Sequence, residues 1–145
     1  MISKKQGLVE VLDRAHIGFL TAVNASGQPQ TSPVWFHRNG EDIVVYNRPV
    51  AARLRSIPAN SKVALSLRGD RLGHSGVSME GEAGVDESLP PASVLPGFVD
   101  KYADDIADLG WTPESFSADY SVPLRIAISR VRAFGLEGWN ETGDA

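Results

Sequence analysis

Residues 34–46 have the sequence VWFHRNGEDIVVY, in which the dipeptide Asn39-Gly40 separates two short runs of strand-forming residues. Both central residues of a type I′ turn need a positive φ, and Asn-Gly is a pair that adopts it readily. The flanking runs, Val34-Trp35-Phe36 and Ile43 to Tyr46, are rich in β-branched and aromatic side chains, which favour strands. This segment therefore predicts an antiparallel β-hairpin, and with it a fold built on antiparallel strands.

A second hairpin is predicted immediately before the first. The segment His16 to Asn24 is rich in strand formers, and Ala25-Ser26-Gly27 supplies a turn into a strand over Gln28 to Arg38. Because that strand is also the first strand of the Asn39-Gly40 hairpin, we expect a meander of three strands.

The rest of the chain adds strands and helices of similar length. Apolar residues at every second position predict strands over Ser61–Arg68, Gly76–Asp86 and Val122–Gly135. Helical spacing, bounded by proline, glycine or a capping residue, predicts helices over Gly7–Arg14, Pro49–Ile57, Phe98–Leu109 and Thr112–Tyr120. Six strands with short flanking helices indicate a mainly β fold, a small antiparallel Greek-key barrel, and an open α+β sandwich is the alternative.

Composition restricts the chemistry that this chain can perform. Its 145 residues fit a single domain, 1–145. It has no cysteine and only three scattered histidines, so disulfides and thiolate chemistry are excluded and no metal site is expected. The net charge of −4 disfavours nucleic acid as a partner. No apolar run approaches the roughly 20 residues of a membrane helix, and we expect a cytoplasmic protein.

A cluster of arginines follows the third predicted strand. Tyr46-Asn47-Arg48-Pro49 leads into the predicted helix, and Arg53 and Arg55 lie within it. Unpaired amides at a helix start and guanidinium groups both favour a phosphate or carboxylate. The alternative interpretation is a solvated helix flank. Arg53 and Arg55 lie about 200° apart around a helix axis, so both cannot face one phosphate, and Arg53 is the favoured one.

Ser32-Pro33 is unusual because it stands in the middle of a predicted strand. Proline removes a ladder hydrogen-bond donor and is confined to edge strands and bulges. One interpretation is that a planar ring, and not a neighbouring strand, lies against this segment. An edge-strand proline that blocks aggregation is an equally good explanation.

Together these segments resemble the pyridoxamine phosphate oxidase-like split-barrel family, and within it most closely the small deazaflavin-dependent group. The resemblance spans nearly the whole chain. It is carried by residues 22–36, Tyr46-Asn47-Arg48-Pro49, Val63-Ala64-Leu65, residues 80–83, Lys101-Tyr102 and residues 119–123. It implies a homodimer with two cofactor sites at the subunit interface, and coenzyme F420 or FMN as the cofactor.

The resemblance also implies which residues bind the cofactor. Ser32 to Val34 would line the ring, and Tyr46 and Asn47 would flank the phosphate. Arg53 would occupy the position at which the family has a phosphate-binding lysine or arginine. The full expected set is Gln30, Ser32, Pro33, Val34, Tyr46, Asn47, Arg48, Arg53 and Arg55. No side chain is expected to be a catalyst, because the cofactor carries the chemistry.

These expectations lead to a function and to its alternatives. The first is a reductase of a small organic molecule that uses reduced F420, or FMN. The second is a cofactor carrier or redox stress protein without turnover, and a true pyridoxamine phosphate oxidase is third.

A dimer is expected because Trp35 and Phe36 have little other sequence to cover them. Arg68 and Arg71 would enlarge the basic patch if their loop folded beside it, and Trp139 is a candidate contact to the partner subunit's site.

Overall fold

The computed structural model describes residues 2–136 and 142–144. The described strands are β1 Ile17–Val23, β2 Pro29–Trp35, β3 His37–Asn39, β4 Asp42–Asn47, β5 Lys62–Leu67, β6 Gly76–Val85, β7 Val122–Phe134 and β8 Thr142–Asp144. The helices are a 3₁₀ turn at Ile2–Lys4, α1 Gln6–Arg14, α2 Arg53–Ser56, α3 Phe98–Asp108 and α4 Pro113–Asp119. No helix in these two described stretches is long and apolar enough to cross a membrane.

All eight described strands belong to one antiparallel sheet. Its order is β2-β1-β5-β6-β7-β4-β3, and β8 pairs with β7. The strands at the two ends of this order, β2 and β3, are consecutive in the chain and separated by the single residue Phe36. The sheet therefore curls into a half-barrel, which confirms the predicted mainly β split-barrel class but with eight strands in place of six.

The predicted meander is wrong at one point, which is Phe36. β2 pairs with β1, whereas the hairpin through Asn39-Gly40 joins β4 to the short strand β3. The backbone N–H of Phe36 donates to the Tyr102 hydroxyl, and its carbonyl accepts from Tyr102 and from Lys101. Because two side chains of α3 take the hydrogen bonds of Phe36, the strand breaks there and passes from one end of the sheet to the other.

The predicted helix at Pro49 is also shorter than expected. Residues 48–51 form a turn closed by a 3.0 Å hydrogen bond from Ala51 N to Arg48 O, and α2 begins only at Arg53. Proline suits the second position of a turn as well as the first turn of a helix. No helix start lies at Pro49, so the predicted anion site cannot depend on one.

The buried side chains form two clusters that meet at β4. The main core fills the half-barrel and includes Leu20, Phe36 and Met79. The second cluster lies between the outer face of β4 and the helices α3 and α4, and includes Tyr46, Tyr102 and Phe116. This second, aromatic cluster forms one side of the candidate site.

Phe36 is fully buried, and Trp35 is partly buried in the aromatic cluster. The Trp35 ring stacks on Tyr102 at 4.6 Å and on Phe116 at 5.2 Å between centroids. Phe36 therefore provides no uncovered face, and Trp35 is partly covered by the aromatic cluster, so these two side chains give little reason to expect a dimer. The apolar side chains exposed on this part of the sheet are Ile17 and Phe19 of β1.

Candidate functional site

Two adjoining cavities lie beside β2 and the turn that follows β4. The larger one, of about 450 Å³, is mainly apolar, and the smaller one, of about 330 Å³, has hydroxyl and amide groups along β2. Ala51 and Arg53 line both cavities. The larger is lined by Ile17, Pro33, Val34, Trp35, Tyr46, Arg48, Val50, Ala51, Arg53, Leu109, Trp111, Phe116 and Tyr120. The smaller is lined by Leu20, Ala22, Gln30, Thr31, Ser32, Ala51, Ala52, Arg53 and Ser56.

Arg53 is the cation at the junction of the two cavities. Its Nη1 donates to Asn47 Oδ1 at 2.6 Å, and its Nη2 donates to Ser32 Oγ at 2.8 Å. Burial lowers the pKa of Arg53 from its ordinary value, although the side chain stays charged near neutral pH. No carboxylate of residues 2–136 forms an ion pair with it. A half-buried guanidinium held by two neutral groups keeps its capacity for an anion.

Asn47 holds Arg53 in this position. The Asn47 side chain is buried, and its Nδ2 donates to the carbonyls of Val45 and Val122 at 2.9 and 3.0 Å. Those two bonds orient the amide so that Oδ1 faces the guanidinium of Arg53. Asn47 therefore lies behind Arg53 and lines neither cavity.

Ser32 and Pro33 lie on a strand with one described neighbour, which is β1. Pro33 is opposite Phe19 in that pairing, and its own side chain lines the larger cavity. The missing proline N–H therefore costs no ladder bond on the open side of β2. The two interpretations of this segment are compatible, because Pro33 is on an edge strand and also faces a cavity.

Tyr46 closes the inner side of the larger cavity. Its hydroxyl donates to Pro90 O at 2.6 Å, and its ring packs edge-on against Phe98. Burial raises the pKa of Tyr46 to about 12, so this hydroxyl stays protonated at neutral pH. Tyr46 can bind or orient a ligand through its ring, but it is not a ready acid or base.

The structure brings together most of the residues predicted for cofactor binding. Pro33, Val34, Tyr46, Arg48 and Arg53 line the larger cavity, and Gln30, Ser32 and Arg53 line the smaller one. Arg55 is exposed and lines neither, as expected from its position on the opposite face of the helix. Arg68 and Arg71 lie in the loop between β5 and β6 and line neither cavity, so the condition under which they would enlarge the basic patch is not met at the cavities. Trp139 lies outside the described residues.

The aromatic wall of the larger cavity was not predicted as part of the site. Phe116 and Tyr120 stack at 4.7 Å, and Trp111 lies within 6 Å of both rings. A signal for it was present in the sequence, because residues four apart share one face of a helix. Thr112 and Ser115 form the capping box of α4, which fixes the helix that carries this face.

The two cavities suit a ligand with a planar apolar part and an anionic part. Aromatic and aliphatic side chains form the apolar cavity, Arg53 supplies the cation, and hydroxyls and an amide line the polar cavity. No histidine, lysine or acidic residue belongs to the described lining of either cavity. No cluster of three metal-ligating side chains occurs in the part of the chain that is described.

Comparison with known proteins gives a consistent assignment of fold. The family model described as pyridoxamine 5′-phosphate oxidase matches residues 5–134. No curated protein matches the sequence at a significant level.

Three solved structures illustrate the similarity, and at their low sequence identity they inform on fold alone. A conserved hypothetical protein of Mycobacterium tuberculosis has 17% identity and a TM-score of 0.74, covering 90% of this chain and 83% of its own. General Stress Protein 26 of Bacillus anthracis has 18% identity and a TM-score of 0.68, covering 94% and 98%. HutZ, the heme storage protein of Vibrio cholerae, has 17% identity and a TM-score of 0.61, covering 97% and 96%.

Proposed function

Because this chain belongs to the pyridoxamine 5′-phosphate oxidase family, we propose that it binds a flavin-type cofactor and acts as an oxidoreductase on a small organic molecule. The charged side chains that line the two cavities favour FMN as the cofactor, and F420 is the alternative. Members of the family usually hold a flavin, and the two cavities suit the two chemically different parts of such a molecule.

The observation that carries this proposal is the position of Arg53. Its half-buried guanidinium lies between an apolar cavity and a polar one, without a carboxylate partner in residues 2–136. A buried cation without an anion is costly, and a phosphate that binds there would supply the missing charge. FMN carries one phosphate, and the guanidinium of Arg53 is one such cation that can bind it.

The small number of cationic side chains in the cavity lining also weakens the preference for F420 that the sequence suggested. The acidic tail of F420 would need further positive charge, and neither Arg68 nor Arg71 lines a cavity. Arg48 does line the larger cavity, but Asp119 already contacts two of its nitrogens, so it offers a single remaining edge and not the several cations that an acidic tail would need.

Each group of lining residues then has a role in binding. Arg53 and Ser32 would hold the phosphate end, whereas Pro33 and Val34 would contact the ring and the aromatic wall would exclude water from it. When bound, a flavin or deazaflavin supplies hydride transfer, and the protein supplies orientation. The described lining offers no acid or base that titrates near neutral pH, so a carrier without turnover remains the second candidate.

Heme, the ligand named for the Vibrio structure, is less well supported by these side chains. Iron in heme is held by histidine, cysteine, methionine or, in some proteins, tyrosine. No histidine, cysteine or methionine of the described residues lines either cavity. Tyr46 and Tyr120 do line the larger one, but the hydroxyl of Tyr46 donates to Pro90 O and Tyr120 stacks on Phe116 in the aromatic wall. The lining side chains therefore fit a flavin-type molecule better than heme.

We also propose that the protein is a homodimer, as the family resemblance implies. The exposed side chains of Ile17 and Phe19 on β1 form an apolar surface beside the site, since Ile17 also lines the larger cavity. A contact between two copies at this surface would cover both side chains and extend the cavity wall.

The test of the cofactor assignment is retention of a chromophore. The protein is incubated separately with FMN, F420 and hemin, passed through a desalting column, and examined by absorbance. We expect FMN or F420 to be retained at one molecule per chain and hemin to be removed. Retention of hemin alone would contradict the proposal. Turnover of quinone and aldehyde substrates by the loaded protein then distinguishes an enzyme from a carrier.

A further inference from the structure

We infer that the substrate is a planar, largely apolar molecule with a single carboxylate, and that Arg48 binds this carboxylate. The inference rests on the proposed function, because it assigns Arg53 to the cofactor and leaves Arg48 for a second molecule. Both arginines line the larger cavity, but their surroundings differ.

Arg48 and Arg53 differ in exposure and in hydrogen bonding. Arg53 is half-buried and donates from Nη1 and Nη2 to neutral groups. Arg48 has a side chain that is 48% exposed, and its Nε and Nη2 lie 3.0 and 2.8 Å from a single oxygen, Oδ2 of Asp119. Nη1 of Arg48 has no acceptor in residues 2–136. Arg48 can therefore bind a second anion without losing Asp119.

Aromatic rings hold the Arg48 guanidinium in place. Its Cζ lies 4.9 Å from the ring centroid of Tyr120 and 6.0 Å from that of Trp111. Such cation–π contacts favour a guanidinium positioned over the ring face. A carboxylate that binds the remaining edge would lie next to this aromatic wall, where low polarity strengthens the attraction.

The other side chains around Arg48 define the rest of the substrate. Val50 is 78% exposed and Leu109 is 57% exposed, and both line the larger cavity. Large apolar side chains exposed together beside a cavity mark a binding surface. With Arg53 assigned to the cofactor, a polyanion would find one available cation among the described residues that line the larger cavity, and an uncharged molecule would leave Arg48 unused. A molecule with an apolar body and one carboxylate fits both the exposed apolar side chains and the available guanidinium of Arg48.

The inference is tested by binding, with no need for turnover. FMN-loaded protein is titrated in a calorimeter with 2-naphthoate and with its uncharged analogue, 2-naphthalenemethanol. We expect Arg48→Gln to weaken naphthoate binding by about tenfold, the effect of losing one charge-assisted hydrogen bond, and to change the binding of the alcohol very little. Arg55→Gln is the matched control, because Arg55 is exposed and lines neither cavity.

A second variant gives an effect of opposite sign. The negative charge of Asp119 offsets part of the charge of Arg48 and repels a second carboxylate, so Asp119→Asn should tighten naphthoate binding and leave the alcohol unaffected. Unchanged preference for naphthoate in Arg48→Gln, or weaker naphthoate binding in Asp119→Asn, would overturn the inference.

The two proposals can fail separately. If FMN binds in an Arg53-dependent manner and naphthoate does not follow the Arg48 pattern, only this inference fails. If neither FMN nor F420 is retained, the titrations are repeated on the cofactor-free protein. Arg48-dependent naphthoate binding there would support the carboxylate site while the proposed function fails.

Discussion

The hydroxyl of Tyr102 lies 2.8 Å from both the backbone nitrogen and the backbone oxygen of Phe36. It accepts a hydrogen bond from the Phe36 N–H, and it donates its own hydrogen to the carbonyl of Phe36 or of His16. Tyr102 on α3 thus supplies hydrogen-bond partners for the backbone of Phe36, the residue at which the chain crosses between the two ends of the sheet. This contact fixes the passage from β2 to β3 next to the candidate site.

Removal of that hydroxyl should destabilise the fold. In Tyr102→Phe, the buried N–H of Phe36 loses its acceptor, and we expect the free energy of unfolding to fall by about 1–3 kcal/mol. Urea unfolding followed by circular dichroism measures the change. Tyr120→Phe is the control, because the Tyr120 hydroxyl makes no hydrogen bond within the described residues. Equal losses in the two variants would show that the contact to Phe36 is not what matters.

Lys101 should make the stability depend on pH in the alkaline range. Its Nζ donates to the carbonyls of Leu12 and Phe36, and burial lowers its pKa from 10.5 to about 8. Between these values the unfolded chain binds more protons than the folded one, so this group makes the free energy of unfolding rise with pH. Burial raises the pKa of Tyr46 and Tyr102, which acts in the opposite direction above about pH 10.

The measurement compares the wild type with Lys101→Met by urea unfolding from about pH 7 to about 9.5. The stability of the wild type relative to the variant should increase across this range. Parallel curves for the two proteins would show that Lys101 keeps its ordinary pKa in the folded state.

Arg53→Ala should weaken cofactor binding. Loss of a charge-assisted hydrogen bond costs about 1.5–3 kcal/mol, so the Kd for FMN should rise by roughly one to two orders of magnitude. Flavin fluorescence quenching gives both Kd values. Arg55→Ala is the matched control and should have little effect, since its side chain is exposed outside both cavities. Equal losses at both positions would mean that the two guanidinium groups share the anion.

The salt dependence of binding distinguishes the two cofactors. The sequence suggested a basic patch that prefers the acidic tail of F420, but only Arg48 and Arg53 of that patch line the larger cavity. We therefore expect FMN to bind at least as tightly as F420 at low salt. Titrations at about 0.05 and 0.5 M salt decide this, because screening weakens contacts between exposed charges. A preference for F420 that shrinks with salt would restore the assignment made from the sequence.

A charged residue in place of Phe19 should prevent dimer formation. Phe19 is 40% exposed beside Ile17, and burial of a carboxylate in an apolar contact would be unfavourable. Sedimentation should show a dimer for the wild type and a monomer of 15.6 kDa for Phe19→Glu. Val94→Glu is the control, since Val94 is also exposed but lies outside β1 and the cavity lining. A wild type that is monomeric at micromolar concentration would refute the dimer.

The sequence by itself determined the features that depend on local pattern. The hairpin through Asn39-Gly40 is present as predicted, because a glycine at this point allows a tight reversal. The predicted type I′ turn is wrong, however: Asn39 pairs with Asp42 and does not have a positive φ, so the two loop residues are Gly40, at a φ of 65°, and Glu41. The three- and four-residue spacing from Phe98 predicted α3, which spans Phe98–Asp108. Helical geometry also separated Arg53 from Arg55, since residues two apart face different sides.

Only the tertiary structure decided where β2 ends and what surrounds Arg53. The strand breaks at Phe36 because Tyr102, 66 residues away in the chain, takes its hydrogen bonds, and no local pattern contains that contact. The same holds for the pairing of Arg48 with Asp119, which lies 71 residues further along. Side chains distant in sequence meet only after the sheet has curled and α3 and α4 have packed on β4. The charge left available at the site is therefore a property of the fold.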